Sequence, residues 1–404
     1  MAAAASRLSG RCVAEMSGGG VSVWSEIIAL SKLPGITDLG QGWPDVPRSK
    51  VASEKAAAIV LDESAAGRKL NQYSPIAGSP NLCRAISDFH GRRYPGPPPD
   101  PASEVAVMTS GTEALFSACL AFCEPGDEVV LFEPFFPWYL PCVRLAGATP
   151  KVVTLEKPAF AIDERALRAA FSAKTKCVVV NSPHNPTGHV LSQAELDTIG
   201  RLCVEFDCLA IFDEVYETTL FGGAKHRRLG DVDGMRDRTV NIGSAGKIYN
   251  VTGWRIGWVT GPADLVGGCR TMHGYSTFSA PTPFQEGIAA ALTSEPDTFF
   301  EGVSAQFAEN FKLLGDAITE MGHRVCCADG DVGGYFLVAD VAASRMDGLA
   351  FSKWLATEKG VACVPLMVFY EGRPKGVPFE CTLVRFAICK PRETIELACK
   401  KLLA

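Results

Sequence analysis

Lys247 stands in the run Asn241-Ile-Gly-Ser-Ala-Gly-Lys-Ile-Tyr-Asn-Val-Thr-Gly-Trp-Arg-Ile-Gly-Trp258, on a turn of small residues, with Arg255 eight positions further on. A lysine amine condenses with an aldehyde only when neutral, so a Schiff-base lysine needs a desolvated or cationic setting that lowers its pKa. Small neighbours suit such a setting. Ser244, one helical turn before the lysine, and Arg255 beyond it can reach one phosphate, the serine as a neutral donor and the arginine as a bidentate fork. Read this way, Lys247 is the covalent anchor of pyridoxal 5'-phosphate. On this run alone, a surface loop with incidental charges explains the residues as well.

That cofactor asks four things of a protein: a lysine for its aldehyde, an anion for its ring nitrogen, a partner for its ring oxygen and a cradle for its phosphate. The chain offers a residue for each. Asp213 closes the apolar run Leu209-Ala-Ile-Phe212 and is placed like a buried carboxylate that would hold a pyridinium proton. Asn185 and Tyr216, on neighbouring loops, can bond the ring oxygen. Ser110, Gly111 and Thr112 join a strand-like run to a helix, and the unpaired N–H groups and dipole of a helix start favour phosphate; the same Ser-Gly-Thr is also ordinary capping. Phe136, in Phe135-Phe-Pro-Trp-Tyr139, can cover a planar ring, although core packing is the commoner fate of such aromatics.

The elements that must position these residues follow from periodicity. Short apolar runs at 105–108, 128–132, 151–155, 177–181, 209–212, 239–243 and 256–260 read as strands, most of them separated by helical segments. This is an α/β pattern, a large doubly wound, mostly parallel sheet whose ligands gather at the strands' carboxyl ends. The helical spacing of 21–30 is followed by the glycine-rich bend Leu39-Gly-Gln-Gly-Trp-Pro-Asp45, residues 49–66 read as one helix ending at Gly67, and another helix starts near Asn81. Beyond Pro283, Phe300, Val303, Phe307, Phe311, Leu314, Ile318 and Met321 mark one long helix. Strand-like runs at 335–340 and 382–388, with helices near 349–358 and 394–403, then suggest a smaller α+β domain. The expected division is 1–49 as an N-terminal arm and part of the small domain, 50–285 as the large cofactor domain, and 286–404 as the long helix and small domain.

Composition narrows the function classes. With 404 residues, 47% apolar and 21% charged, a formal charge of −6 and no dense lysine and arginine cluster, the chain has ample core material and no nucleic-acid footprint. No apolar run is long enough to span a bilayer. The fifteen cysteines are odd in number and scattered through apolar runs, as in a reduced, cytoplasmic compartment. Cys119 and Cys123 have metal half-site spacing, but no second Cys or His pair completes four ligands, so no metal is expected. Residues 1–11 are rich in Ala and Ser, carry two arginines and no acid, and have an organelle-targeting flavour.

Asn185-Pro-Thr-Gly188, Asp213-Glu-Val-Tyr216 and Ser244-x-x-Lys247 with Arg255 together resemble the class I/II aminotransferases of pyridoxal phosphate fold type I, from about Trp24 to the end of the chain. The resemblance implies that Lys247 is the Schiff-base lysine and proton shuttle and that Arg385, in Leu383-Val-Arg-Phe-Ala387, clamps the substrate α-carboxylate with help from Asn185. It implies further that Tyr73 reaches the phosphate of a neighbouring subunit, hence a homodimer with shared active sites, and that Gly42 belongs to a mobile substrate loop. Val23-Trp-Ser-Glu26, the 39–45 bend, Asn71-Gln-Tyr73 and Glu133-Pro-Phe-Phe136 look most like the kynurenine aminotransferase and glutamine transaminase K branch, which acts on large neutral and aromatic amino acids. This adds Trp24 to the substrate-contacting residues, although by itself Trp24, like Trp43, reads as a core or surface aromatic.

Thr112 departs from the branch, which often has tyrosine there, and no arginine occurs in Tyr275-Ser-Thr-Phe-Ser-Ala-Pro281, near where some aspartate transaminases place one. The expected partners are therefore a neutral, aromatic or sulfur-containing amino acid and a 2-oxo acid. A cysteine-S-conjugate β-lyase or an aspartate-type aminotransferase would use the same lysine and aspartate. A non-enzymatic regulator would need an appended DNA-binding helix pair, for which the forty or so residues before the first matched loop leave little room.

Overall fold

The structure, a computed structural model, describes residues 7–16, 20–370 and 381–404. Residues 1–6 of the targeting-like stretch lie outside the described residues. Seven strands form the large sheet: β1 (Val105–Met108), β2 (Glu128–Glu133), β3 (Thr149–Thr154), β4 (Thr175–Asn181), β5 (Leu209–Asp213), β6 (Thr239–Ser244) and β7 (Gly257–Thr260). Their order is β1-β7-β6-β5-β4-β2-β3. Only β7 runs against its neighbours, pairing antiparallel with both β1 and β6. The rest of the sheet is parallel.

Parallel strands covered on both faces must be apolar on both, and side chains alternate between faces. Cys177, Val179, Ile211, Val240, Ile242 and Val259 pack with the helices Gly111–Phe122 and Tyr139–Leu145. Val178, Val180, Ala210 and Phe212 point the other way, into a core shared with the C-terminal part of the chain. Val105, Val107 and Trp258 face a third cluster built on the helices Lys50–Leu61, Pro80–Arg93 and Thr282–Ser294.

The second sheet has four strands, β8 (Arg324–Val325), β9 (Phe336–Asp340), β10 (Val364–Pro365) and β11 (Leu383–Ala387), ordered β10-β11-β9-β8 and antiparallel throughout. Arg385 lies at its centre, opposite Val338 on one side and Val364 on the other. The helices Asp297–Glu320 and Arg392–Leu403 pack together beside this sheet. Thr37–Asp38 forms a short parallel ribbon with Val361–Ala362, which ties the N-terminal bend to the same region.

Two helix expectations are corrected. Residues 49–66 are not one helix: Lys50–Leu61 stops at Asp62, and a second helix, Ala65–Leu70, starts from Ser64, whose hydroxyl accepts from the Gly67 N–H. A local cap thus outcompetes continuation through Asp62-Glu63-Ser64. The stretch after Pro283 is likewise two helices, Thr282–Ser294 and Asp297–Glu320, broken where Pro296 cannot supply an N–H. The fifteen cysteines are all free thiols, and Cys119 and Cys123 are buried in the helix-covered face of the sheet.

Close backbone approach at one glycine links the sheet to the site. A Cβ on Gly257 would stand 2.5 Å from Gly111 N and from the Ser110 carbonyl carbon. Gly257→Ala is expected to push the 110–112 turn away from β7 and cost about 1–3 kcal/mol, as overpacking against rigid backbone does. Thermal or urea unfolding measures the loss, and an unchanged midpoint contradicts the packing described.

Candidate active site

The carboxyl ends of β1, β4, β5 and β6 open into one cavity of about 450 Å³. Of the residues singled out in the sequence, Trp24, Gly42, Ser110, Gly111, Thr112, Phe136, Asn185, Asp213, Tyr216, Ser244, Lys247, Arg255 and Arg385 all line it. Tyr73 does not. Its ring is 81% exposed and lies edge-on to Phe278, with centroids 5.2 Å apart.

Topology places these side chains. β4 and β5 are in register at their ends, Asn181 opposite Asp213. Asn181 Nδ2 donates to the Asp213 carbonyl at 2.9 Å, and its Oδ1 accepts from the Asn185 N–H at 2.7 Å, so one side chain stitches the 182–188 turn to β5. Ser110 caps the helix Gly111–Phe122 from a backbone φ of 85°, its hydroxyl accepting from the Glu113 N–H at 3.4 Å. The start of this helix, whose first N–H groups have no partner within it, lines the cavity together with Ser244 and Arg255.

Charge is handled unusually here. Asp213 receives Tyr139 Oη on Oδ2 at 2.6 Å and the Val215 N–H on Oδ1 at 3.3 Å. Burial nevertheless raises it to about 6, partly offset by Tyr139, Val215 and Lys247. Burial pulls Lys247 down to about 8, with the guanidinium groups of Arg385 and Arg255 acting in the same direction. Its Nζ sits 3.5 Å from the Gly42 carbonyl and 5.3 Å and 5.6 Å from the ring centroids of Tyr335 and Tyr216. Tyr335 also donates its hydroxyl to the Lys247 carbonyl, fixing the turn. Burial pushes the Tyr216 phenol up as well.

Arg385 is 3% exposed. Its Nη1 donates to Asn185 Oδ1 at 3.0 Å and Nη2 to the Gly40 carbonyl at 3.3 Å, while Nε has no partner. The guanidinium lies 3.8 Å from the Phe336 ring centroid and 4.7 Å from that of Phe369. Among the described residues no carboxylate pairs with it, and burial lowers it to about 10. A desolvated guanidinium between aromatic faces, holding only neutral acceptors, is prepared for an incoming carboxylate.

Sequence reasoning did not single out Tyr139, Asn181, Tyr335, Phe336 or Phe369 in these roles. Tyr139 lies in the aromatic run already noted and Asn181 at a strand end, so position alone hinted at both. Tyr335, Phe336 and Phe369 come from the distant C-terminal part and carry no local signal. Among the described residues, metal-ligand-like atoms converge at His90, Glu214 and Glu217. There, however, Arg228 holds both Glu214 oxygens and His226 one of them.

The family model for aminotransferase class I and II matches residues 34–402. The chain is a class I and II aminotransferase. It is 38% identical over 388 residues to a probable N-succinyldiaminopimelate aminotransferase of Mycobacterium tuberculosis, covering 94% of this chain and 95% of that one. A kynurenine–oxoglutarate transaminase 3 of Rattus norvegicus is 33% identical over 404 residues, covering 93% and 86% of the two chains, and the Escherichia coli methionine aminotransferase is 32% identical over 384 residues, covering 95% of each. The solved structure of the Mycobacterium tuberculosis N-succinyldiaminopimelate aminotransferase superposes with a TM-score of 0.87 over 95% of this chain and 97% of its own. The fold is therefore that of fold type I aminotransferases, and the enzyme moves amino groups.

The raised Asp213 pKa makes a stability prediction for the protein without added ligands. A carboxyl raised from 3.8 to about 6 contributes stability that is present below pH 3.8 and lost as pH rises through about 6. Asp213→Asn removes that loss. The variant is expected to match the wild type near pH 4 and to exceed it by about 1–3 kcal/mol at pH 8. Urea unfolding at both pH values measures this, and a variant less stable at pH 8 contradicts it.

Proposed function

We propose that this aminotransferase takes its amino group from a neutral, aromatic or sulfur-containing L-amino acid, passes it to a 2-oxo acid, and uses pyridoxal 5'-phosphate held at Lys247. The carrying observation is the pairing, in one cavity, of a lysine depressed to about 8 with a buried arginine that has no carboxylate partner among the described residues.

The residues fit the cofactor. Lys247, lowered to about 8 by burial, has a far larger neutral fraction near physiological pH than an ordinary lysine and is the partner for the cofactor's aldehyde. Asp213, oriented by Tyr139, is the anion for the ring nitrogen. Ser110, Gly111, Thr112, Ser244 and Arg255 would take the phosphate, Phe136 a ring face, and Asn185 and Tyr216 the ring oxygen. When bound, pyridoxal phosphate supplies the electron sink that makes the substrate Cα–H acidic. Lys247 is then the base placed to move that proton. Tyr216 lies beside it, and the aromatic walls exclude water. Arg385 takes the α-carboxylate on a guanidinium edge that includes the unpartnered Nε, with Asn185 already held on Nη1.

The neutral preference follows from the cations. Only Lys247, Arg255 and Arg385 line the described cavity, and each has a task. The other walls carry no charge besides Asp213 and include the large apolar side chains Trp24, Trp43, Leu115, Trp138, Phe336 and Phe369. A second substrate carboxylate would be buried without a partner, at a cost of several kcal/mol.

A homodimer belongs to the same reading. Tyr73, Phe278 and Tyr275 are large exposed aromatics, 81%, 49% and 89% accessible, and Tyr73 does not line its own chain's cavity. Equilibrium sedimentation is expected to give twice the 43.1 kDa chain mass. A monomer with full cofactor occupancy contradicts shared sites.

For substrates, kcat/KM with phenylalanine is expected to exceed that with aspartate by about 100-fold or more. Arg385→Gln is expected to lower kcat/KM about 10²–10³-fold while leaving the visible absorbance of the bound cofactor in place. Equal rates with phenylalanine and aspartate overturn the substrate reading. Pyruvate release from a cysteine conjugate, without amino transfer, would replace it by the β-lyase alternative.

A further inference from the structure

The loop of residues 39–47 roofs the cavity and is held through its carbonyls by cations. Arg385 Nη2 donates to Gly40 O at 3.3 Å, Lys247 Nζ to Gly42 O at 3.5 Å and Lys390 Nζ to Trp43 O at 3.1 Å. A side chain at position 42 is impossible without displacing Phe336, whose ring would lie 2.5 Å from a Cβ there. The first two cations face the cavity, and both have other partners in the reading above, a carboxylate for Arg385 and an aldehyde for Lys247. In a loaded site those partners would compete with the loop carbonyls for both cations.

Lys390 is placed differently. It is 3% exposed and does not line the cavity. Its ammonium lies 3.6 Å from the centroid of the Trp43 ring as well as on the Trp43 carbonyl. Trp43 lines the cavity and is 47% exposed, as expected of a ring at its mouth. Indole is the best face for a cation, and the pairing strengthens when the ammonium is desolvated. One buried charge thus fixes both the main chain and the ring of one residue. Asp38, just before the loop, accepts the Gly40 and Gln41 N–H groups on Oδ1 and so braces the same bend.

We infer that Lys390 is a specificity-positioning residue, holding the Trp43 indole as the outer wall that meets the side chain of a large, flat amino donor. It touches neither cofactor nor reacting atoms. The inference rests on the amino-donor reading of the cavity and deepens it. A small donor such as alanine ends short of this wall, so the effect of Lys390 is confined to long side chains.

Lys390→Met keeps an unbranched apolar stem and removes the ammonium. With phenylalanine its KM is expected to rise about tenfold with kcat changed less than about twofold, and with alanine both constants are expected to stay within about twofold. Lys390→Arg is expected to restore most of the phenylalanine KM. Trp43→Ala is expected to raise that KM similarly, and the double variant no further, because the two residues act as one unit. An equal rise of KM for both donors, or additive effects in the double variant, overturns the inference. A second readout needs no activity. With 19F-labelled tryptophan and Trp43→Phe as assignment, the Trp43 resonance of Lys390→Met is expected to shift more than those of the other five tryptophans. If that resonance does not move, the anchor is absent whatever the enzyme's substrate. If it moves but phenylalanine is not a donor, the substrate reading fails and the positioning role falls with it.

Discussion

Three ionisable groups are kept from water where the two sheets meet, and among the described residues none of them forms a direct ion pair, although Asp213 and Lys247 feel each other's charge. Asp213 is raised to about 6, Lys247 lowered to about 8 and Arg385 lowered to about 10, each chiefly by burial. Such groups cost stability in the unliganded fold, so the surrounding structure must over-determine their positions. Much of the architecture near the cavity does this. Tyr139 fixes the Asp213 carboxylate, Tyr335 fixes the Lys247 turn, and Asn185, Phe336 and Phe369 enclose the Arg385 guanidinium. The rest of the core supplies the free energy that this arrangement consumes.

The division of labour follows from topology. Parallel strands deliver Asn181, Asp213 and Ser244 to one edge of the large sheet, while the antiparallel small sheet brings Arg385 across to them. The 39–47 loop closes the gap, bonded to both sides through Ala387, Cys389, Lys390 and Asn250. In the proposed reading, the cofactor partners thus sit on the large sheet, and the substrate partners come from the small sheet and the 39–47 loop.

Legibility in the sequence tracked how local each signal was. The strands ending in Asp213 and Ser244, the Ser110 cap and the turn at 182–188 are written in consecutive residues, and the structure gathers them in one cavity. Arg385 was legible only through the resemblance, because a strand arginine carries no sign of what will face it. The helix ends at Asp62 and Pro296 were missed because apolar spacing runs through them, while a serine cap and a missing N–H decide the break. Tyr335, Phe336 and Phe369 were not legible as site residues at all. They act through tertiary contact with Lys247 and Arg385, from 16 to 88 residues away in the chain.

The central claim is that the Lys247 amine, and no other, is the one that meets the cofactor's aldehyde. Borohydride reduction of the protein with pyridoxal phosphate, followed by peptide mass mapping, tests it most directly. The account predicts a single stoichiometric adduct on Lys247. Reduction that leaves Lys247 unmodified, or spreads the label over surface lysines, would contradict it.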